Sequence, residues 1–143
     1  MAEAEMANIM RDLAKSIEKG DVEKALSHLT DDADWVTPNG AVQGKDELKR
    51  LLSSESMRNV AVTETGNGIM TQGNKAFFEH ILEATYRGRK AKWLAMCAYE
   101  FNGDKIQHLR TAFDRLSLAQ QVTGGLPRMM VNQIAKQSEK MAR

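Results

Sequence analysis

The chain has 143 residues, enough for one domain with a sizeable core. Twenty Lys+Arg stand against nineteen Asp+Glu, a formal net charge of +1, which makes no electrostatic case for nucleic acid or for an acidic partner. The single cysteine, Cys97, excludes an intrachain disulfide, and no apolar run reaches the roughly 18 residues of a membrane-spanning helix. No Cys/His cluster has zinc-ligand spacing, and no motif points to a bound metal or cofactor. The N-terminal MAEAEMANIM lacks the basic flank and apolar core of a signal peptide, so the expectation is a cytoplasmic protein. Nine methionines are read as adaptable core filler.

Met6, Ile9, Met10, Leu13 and Ile17 recur at three- and four-residue spacing, which predicts an amphipathic first helix. Lys19-Gly20-Asp21 ends it, with Gly20 in the left-handed position and Asp21 capping a second helix. Val22, Ala25, Leu26 and Leu29 carry that helix, which stops at Thr30-Asp31-Asp32. A short strand, Ala33 to Thr37, breaks at Pro38-Asn39-Gly40. A third helix starts near Gly44-Lys45-Asp46 and runs through Leu48, Leu51 and Leu52.

Val60 to Thr65 reads as a strand, Gly66-Asn67-Gly68 as a turn, and Ile69 to Gln72 as a short extended piece. Lys75 to Tyr86 is a long alternating strand turned by Arg87-Gly88-Arg89. Tyr86 to Asp114 then reads as two long strands joined at Asn102-Gly103-Asp104, with φ > 0 expected at both residues of Asn-Gly. Helices first and an antiparallel sheet after them make an α+β protein. The tail from Leu118 differs. Gly124-Gly125-Leu126-Pro127 breaks the chain, and RMMVNQIAKQSEKMAR reads as a helix with Met130, Ile134 and Met141 on one side, packed on the domain or on a second copy. Its apolar face is too thin and too mixed with Asn132, Gln133 and Gln137 to favour a membrane surface. The domain reading is 1–120 plus a helical extension, 121–143.

Helix, KGD turn, helix ending in LTDDADW, proline bend, QGKDELKRLL helix, and strands closing on EFNGDKIQHLRTAFD form a familiar order. Over about residues 6–120 it resembles the SnoaL-like branch of the nuclear-transport-factor-2-like superfamily, which includes ketosteroid isomerase, limonene epoxide hydrolase and the SnoaL polyketide cyclase. The resemblance implies a cystatin-like cone: a curved antiparallel sheet wrapped around N-terminal helices, with an apolar pocket at one end. It also implies a homodimer through the outer sheet face.

The superfamily hosts many chemistries, so the site must be argued separately. Ketosteroid isomerase uses a tyrosine on the first helix, a base carboxylate before the proline bend and an acid on the strand after the GRK turn. Leu13, Thr37 and Cys97 stand at those positions here. The aspartate-arginine-aspartate set of limonene epoxide hydrolase falls on Phe78, His80 and Thr111. Neither activity is therefore expected.

Side chains alternate along a strand. If Cys97 points inward, so do Trp93, Ala95 and Tyr99; if Thr111 does, so do Leu109 and Phe113; and Phe78, His80, Leu82 and Ala84 share a face. The expected ligand-binding set is Thr37, Phe78, Trp93, Cys97, Tyr99, Leu109, Thr111 and Phe113. His80 is the candidate acid-base residue, because imidazole titrates near neutrality; against this stands a histidine simply hydrogen-bonded within the sheet or facing the dimer. Cys97 in an apolar run reads as a small buried hydrophobe rather than a nucleophile. Asp34 is the carboxylate nearest the lost base position, and Arg110 with Asp114 is read as an outer ion pair. Lys92, Leu94, Met96 and Ala98 would form the outer, dimer-facing row. Two readings follow: an isomerase, cyclase, dehydratase or hydrolase type of enzyme on a hydrophobic small molecule, or a non-catalytic hydrophobic-ligand-binding or dimeric assembly module.

Overall fold

A computed structural model describes residues 1–142. The first helix, α1 (Glu3–Lys19), buries Met6, Met10, Leu13 and Ser16 along one stripe. It ends as its sequence dictates. Gly20 takes φ 70°, its N–H donates to the Ile17 carbonyl at 3.0 Å, and the Asp21 N–H donates to the Ser16 carbonyl at 2.9 Å. The Asp21 carboxylate accepts from the Lys24 N–H at 3.1 Å and so caps α2 (Val22–Ser27).

Leu29 departs from the sequence reading. It does not extend α2 but opens β1 (Leu29–Thr37), where it pairs with Ile106 and is 1% exposed. Its spacing from Leu26 suits a helix, but a leucine buried at that point satisfies either structure. Pairing with a distant strand decides. After β2 (Gly40–Gln43) comes α3 (Lys45–Leu52), which buries Leu48 and Leu52, followed by a 3-10 turn at Glu55–Met57.

The strand read as two pieces is one. β3 (Ala61–Gln72) runs through Gly66-Asn67-Gly68, where the register with the next strand slips between Glu64 and Ile69. Gly66 and Gly68 both have positive φ, so the glycines make a bulge rather than a turn. The Glu79 carboxylate holds it by accepting from the Asn67 backbone N–H at 2.9 Å and its side-chain amide at 3.1 Å.

β4 (Lys75–Tyr86), β5 (Arg89–Asn102) and β6 (Lys105–Phe113) follow. The six strands lie in the order β2-β1-β6-β5-β4-β3. Every neighbouring pair is antiparallel except β1 and β6, which run parallel, so the sheet is mixed. The turn chemistry is also redistributed. Positive φ at both central residues occurs at Arg87 (48°) and Gly88 (78°), not at Asn102-Gly103. Asn102 is still strand, paired with Lys105, and only Gly103 has φ > 0 in that turn.

The core lies between one face of the sheet and the first three helices. It joins Met6, Met10 and Leu13 to Leu26, Leu29, Leu48 and Ile106. Beyond β6, the Asp114 carboxylate accepts from the N–H groups of Leu116 and Ser117 and caps α4 (Arg115–Val122). The sequence reading missed this helix because it carries no apolar stripe, and none of its residues is buried. Its span includes residue 121, where the extension was expected to begin.

The last helix, α5 (Gly125–Met141), starts at Gly125 rather than after Pro127, since proline is tolerated in a first turn. Its half-buried residues are Val131, Asn132 and Ala135, and Gln120 donates to the Asn132 side chain at 3.1 Å. Met130, Ile134 and Met141, the expected packing face, are 61%, 53% and 88% exposed. Among the described residues, no helix is long and apolar enough to cross a membrane.

Candidate functional site

The concave face of the sheet encloses a cavity of about 610 Å³. Small side chains make room for it. Ala84 on β4 sits opposite Ala91 on β5, and Ala95, fully buried, lies flat between His80 and Phe113 on the flanking strands. Leu13 and Ile17 of α1 close one side, and Leu118, Ala119 and Val122 of α4 another.

His80 and every residue of the expected ligand-binding set border this cavity, while Ala95, on the same face, does not. Phe78 and His80 come from β4, Trp93, Cys97 and Tyr99 from β5, Leu109, Thr111 and Phe113 from β6, and Thr37 from the end of β1. Their positions follow from one register: Phe78 opposes Cys97, which opposes Thr111, and Tyr99 opposes Leu109. Trp93 and Phe113 meet at 6.2 Å between ring centroids, tilted by 59°. The Trp93 Nε1 is shielded from solvent and has no partner among the described residues.

His80 is 4% exposed and stacks on Phe78, with ring centroids 4.3 Å apart. Its Nδ1 lies 3.2 Å from the Phe78 carbonyl oxygen. A carbonyl can only accept, so Nδ1 carries the proton, and in the neutral ring Nε2 is an acceptor. Burial lowers the His80 pKa below the ordinary 6.5, against a smaller raising effect of the Phe78 carbonyl. The ring is therefore neutral at pH 7.

A polar chain crosses the cavity floor. Trp35 Nε1 donates to Thr111 Oγ1 at 2.8 Å, and Thr111 Oγ1 lies 3.2 Å from Cys97 Sγ. Burial pushes the Cys97 thiol up to about 11 and the Tyr99 hydroxyl well above its usual value, so both stay protonated at neutral pH. A thiol in that state is a poor nucleophile. Thr37 is committed to its own turn: its hydroxyl donates to the Gly40 carbonyl at 3.2 Å and accepts from the Asn39 N–H at 3.1 Å.

Residues that the sequence did not single out complete the lining. Trp35 is one; its signal was the alternation of Ala33 and Trp35 in β1, both buried. Asn39, Glu55, Arg58 and Arg115 lie in loops or at a helix start, where no periodicity marks a facing. Glu55, Arg58 and Arg115 are exposed, so they form the rim, and the Arg115 guanidinium donates to the Pro38 carbonyl at 3.1 Å. Glu55 is the one carboxylate among the described lining residues.

On the outer face one expectation changes, the Arg110–Asp114 pair. Asp34 faces away from the cavity and accepts from His108, its cross-strand neighbour. Arg110 pairs with Glu100 at 2.8 Å rather than with Asp114, which caps α4 instead. Glu100 is the nearer partner because the parity of β5 and β6 puts it and Arg110 on the same face.

The comparisons with known proteins agree on the architecture. A search of curated proteins returned no match. Solved structures similar to this chain include an NTF2-like protein of Burkholderia xenovorans, at 20% identity and a TM-score of 0.72, which covers 86% of this chain and 99% of its own. Another is a Catenulispora acidiphila protein with a ketosteroid isomerase-like fold, in complex with trimethylamine: 15% identity, TM-score 0.72, covering 80% and 91%. A third is TerC co-crystallised with polyporic acid: 16% identity, TM-score 0.73, covering 82% and 98%. At these identities the likeness shows the fold alone. The family model for the SnoaL-like domain matches residues 10–109, and that span holds the second half of α1, all of α2 and α3, the proline bend and most of the cavity wall. The chain belongs to the SnoaL-like family.

Proposed function

We propose that this protein binds a small, largely apolar molecule in the cone, with His80 as the one interior group able to exchange a proton with it near neutral pH. The observation that carries this is the pairing of an aromatic-walled cavity of about 610 Å³ with a buried, neutral histidine that borders it and has one ring nitrogen without a protein partner among the described residues. Two similar folds are described with small molecules, trimethylamine and polyporic acid, which is consistent with the reading. If a reaction occurs, it is one that a single proton carrier can support, such as an isomerisation or a cyclisation. The lack of an interior carboxylate favours the alternative of a binding protein that performs no chemistry.

The neutral fluorophore N-phenyl-1-naphthylamine should bind and quench Trp93. An apolar ligand desolvates His80 further, so binding is linked to the unprotonated ring. The sign follows: affinity is constant above about pH 6.5 and falls as pH drops through the lowered His80 pKa. Folding stability has the same sign, because below about pH 6.5 the unfolded chain binds the proton that buried His80 resists. The variant His80→Ala should flatten the binding profile. No binding at any pH would refute the proposal.

A homodimer through the outer sheet face belongs to the same reading. Leu94 and Met96 are 44% and 39% exposed there, beside Met70 at 48%. Sedimentation velocity at micromolar concentration should show a dimer that Leu94→Lys with Met96→Lys dissociates. A monomeric parent protein would remove this part.

A further inference from the structure

We propose that the cavity selects an uncharged ligand bearing a phenol or enol hydroxyl, which donates its hydrogen bond to His80 Nε2. The inference rests on the cavity reading above and deepens it by naming the ligand chemistry.

The geometry admits one polarity at this point. The stacked Phe78 ring and the Phe78 carbonyl fix the imidazole from two directions. Nδ1 is tied back to the Phe78 carbonyl, which leaves Nε2 as the ring nitrogen free for the cavity that His80 borders. It has no protein partner among the described residues, yet the side chain is almost wholly buried. Unlike Trp93 Nε1, Nε2 is not shielded, so an occupant that excludes water from it has to meet it with a donor.

The other interior polar groups do not compete for a ligand donor in the same way. Thr111 already accepts from Trp35, and its remaining hydrogen-bonding capacity lies toward Cys97. Thr37 is bound into its turn. The indole nitrogen of Trp93 can only donate, so it cannot receive a ligand's hydroxyl proton. A charged ligand group finds no counter-charge inside, since Glu55, Arg58 and Arg115 stand at the exposed rim. A flat ring system fits the aromatic walls of Phe78, Trp93 and Phe113. A phenol or enol hydroxyl is also the type of donor whose proton a neutral imidazole can take.

The test compares 2-naphthol with 2-methoxynaphthalene, which keeps the rings and the oxygen but loses the donor. Each is titrated against N-phenyl-1-naphthylamine on the full-length protein. Wild type should prefer 2-naphthol by about tenfold, the scale of one hydrogen bond. His80→Phe keeps the stack on Phe78 and should abolish the preference while still binding 2-methoxynaphthalene. Should that variant misfold, the imidazole ¹⁵N resonances of the wild type decide. The Nε2 signal of His80 should shift with 2-naphthol and stay put with 2-methoxynaphthalene. Equal affinity for the two probes, an unmoved Nε2 signal, or a preference that survives His80→Phe would overturn the inference and leave the cavity reading standing. Failure of both naphthalenes and of the fluorophore to bind wild type would overturn both.

Discussion

The substitution Ala84→Trp is expected to abolish binding of N-phenyl-1-naphthylamine, a loss of about 100-fold or more, with little change in melting temperature. Ala84 lies opposite Ala91 on the inner face, and both border the cavity. An indole there takes up space that the ligand needs, rather than space that the core fills. Forcing a ligand past it costs about 1–3 kcal/mol of overpacking, and the displaced ligand also forfeits its burial against the aromatic walls. Ala95 is the contrasting position. It is fully buried beneath the same site, so a large side chain there would displace β4 and β6 instead of filling a void. Fluorimetric titration together with thermal melting separates the two outcomes. Binding by Ala84→Trp at the parent affinity would place the ligand outside the cone.

The largest stability effect is expected from Met10→Ala. Met10 is fully buried on α1, between Met6 and Leu13. Truncation leaves a cavity under the sheet and should cost about 2–5 kcal/mol. For a chain of this size that lowers the melting temperature by roughly 5–15 °C. Met130→Ala is the control. That side chain is 61% exposed on α5, and its loss should change stability by no more than about 0.5 kcal/mol. Equal effects in the two variants would mean that α1 is not the element that seals the core.

The nine methionines thus divide by position, and composition could not say which were core. The i, i+3, i+4 spacing of Met6, Met10 and Leu13 identified the buried ones on α1. The same periodicity on α5 marked Met130 and Ile134, yet these remain exposed while Val131 and Ala135 are half-buried. Periodicity reports that a helix has an apolar face. It does not report whether anything lies against that face.

What the sequence determined by itself is what short-range rules control. Gly20 and Asp21 set the end of α1 and the start of α2 through a backbone conformation and a cap that need no distant partner. Strict alternation told which side chains of β4, β5 and β6 share a face, and hence that Phe78, His80, Trp93, Cys97, Tyr99, Leu109, Thr111 and Phe113 border one space. The tertiary structure decided whatever depends on pairing. Leu29 became strand because Ile106 was there to receive it, and Gly66 to Gly68 became a bulge because β4 continued alongside. Arg110 took Glu100 rather than Asp114 because β5 lies beside β6 and sets the two on one face. The same holds for His80. Alternation could put it inside, but only the Phe78 carbonyl, brought within 3.2 Å by the local backbone, shows which ring nitrogen is engaged.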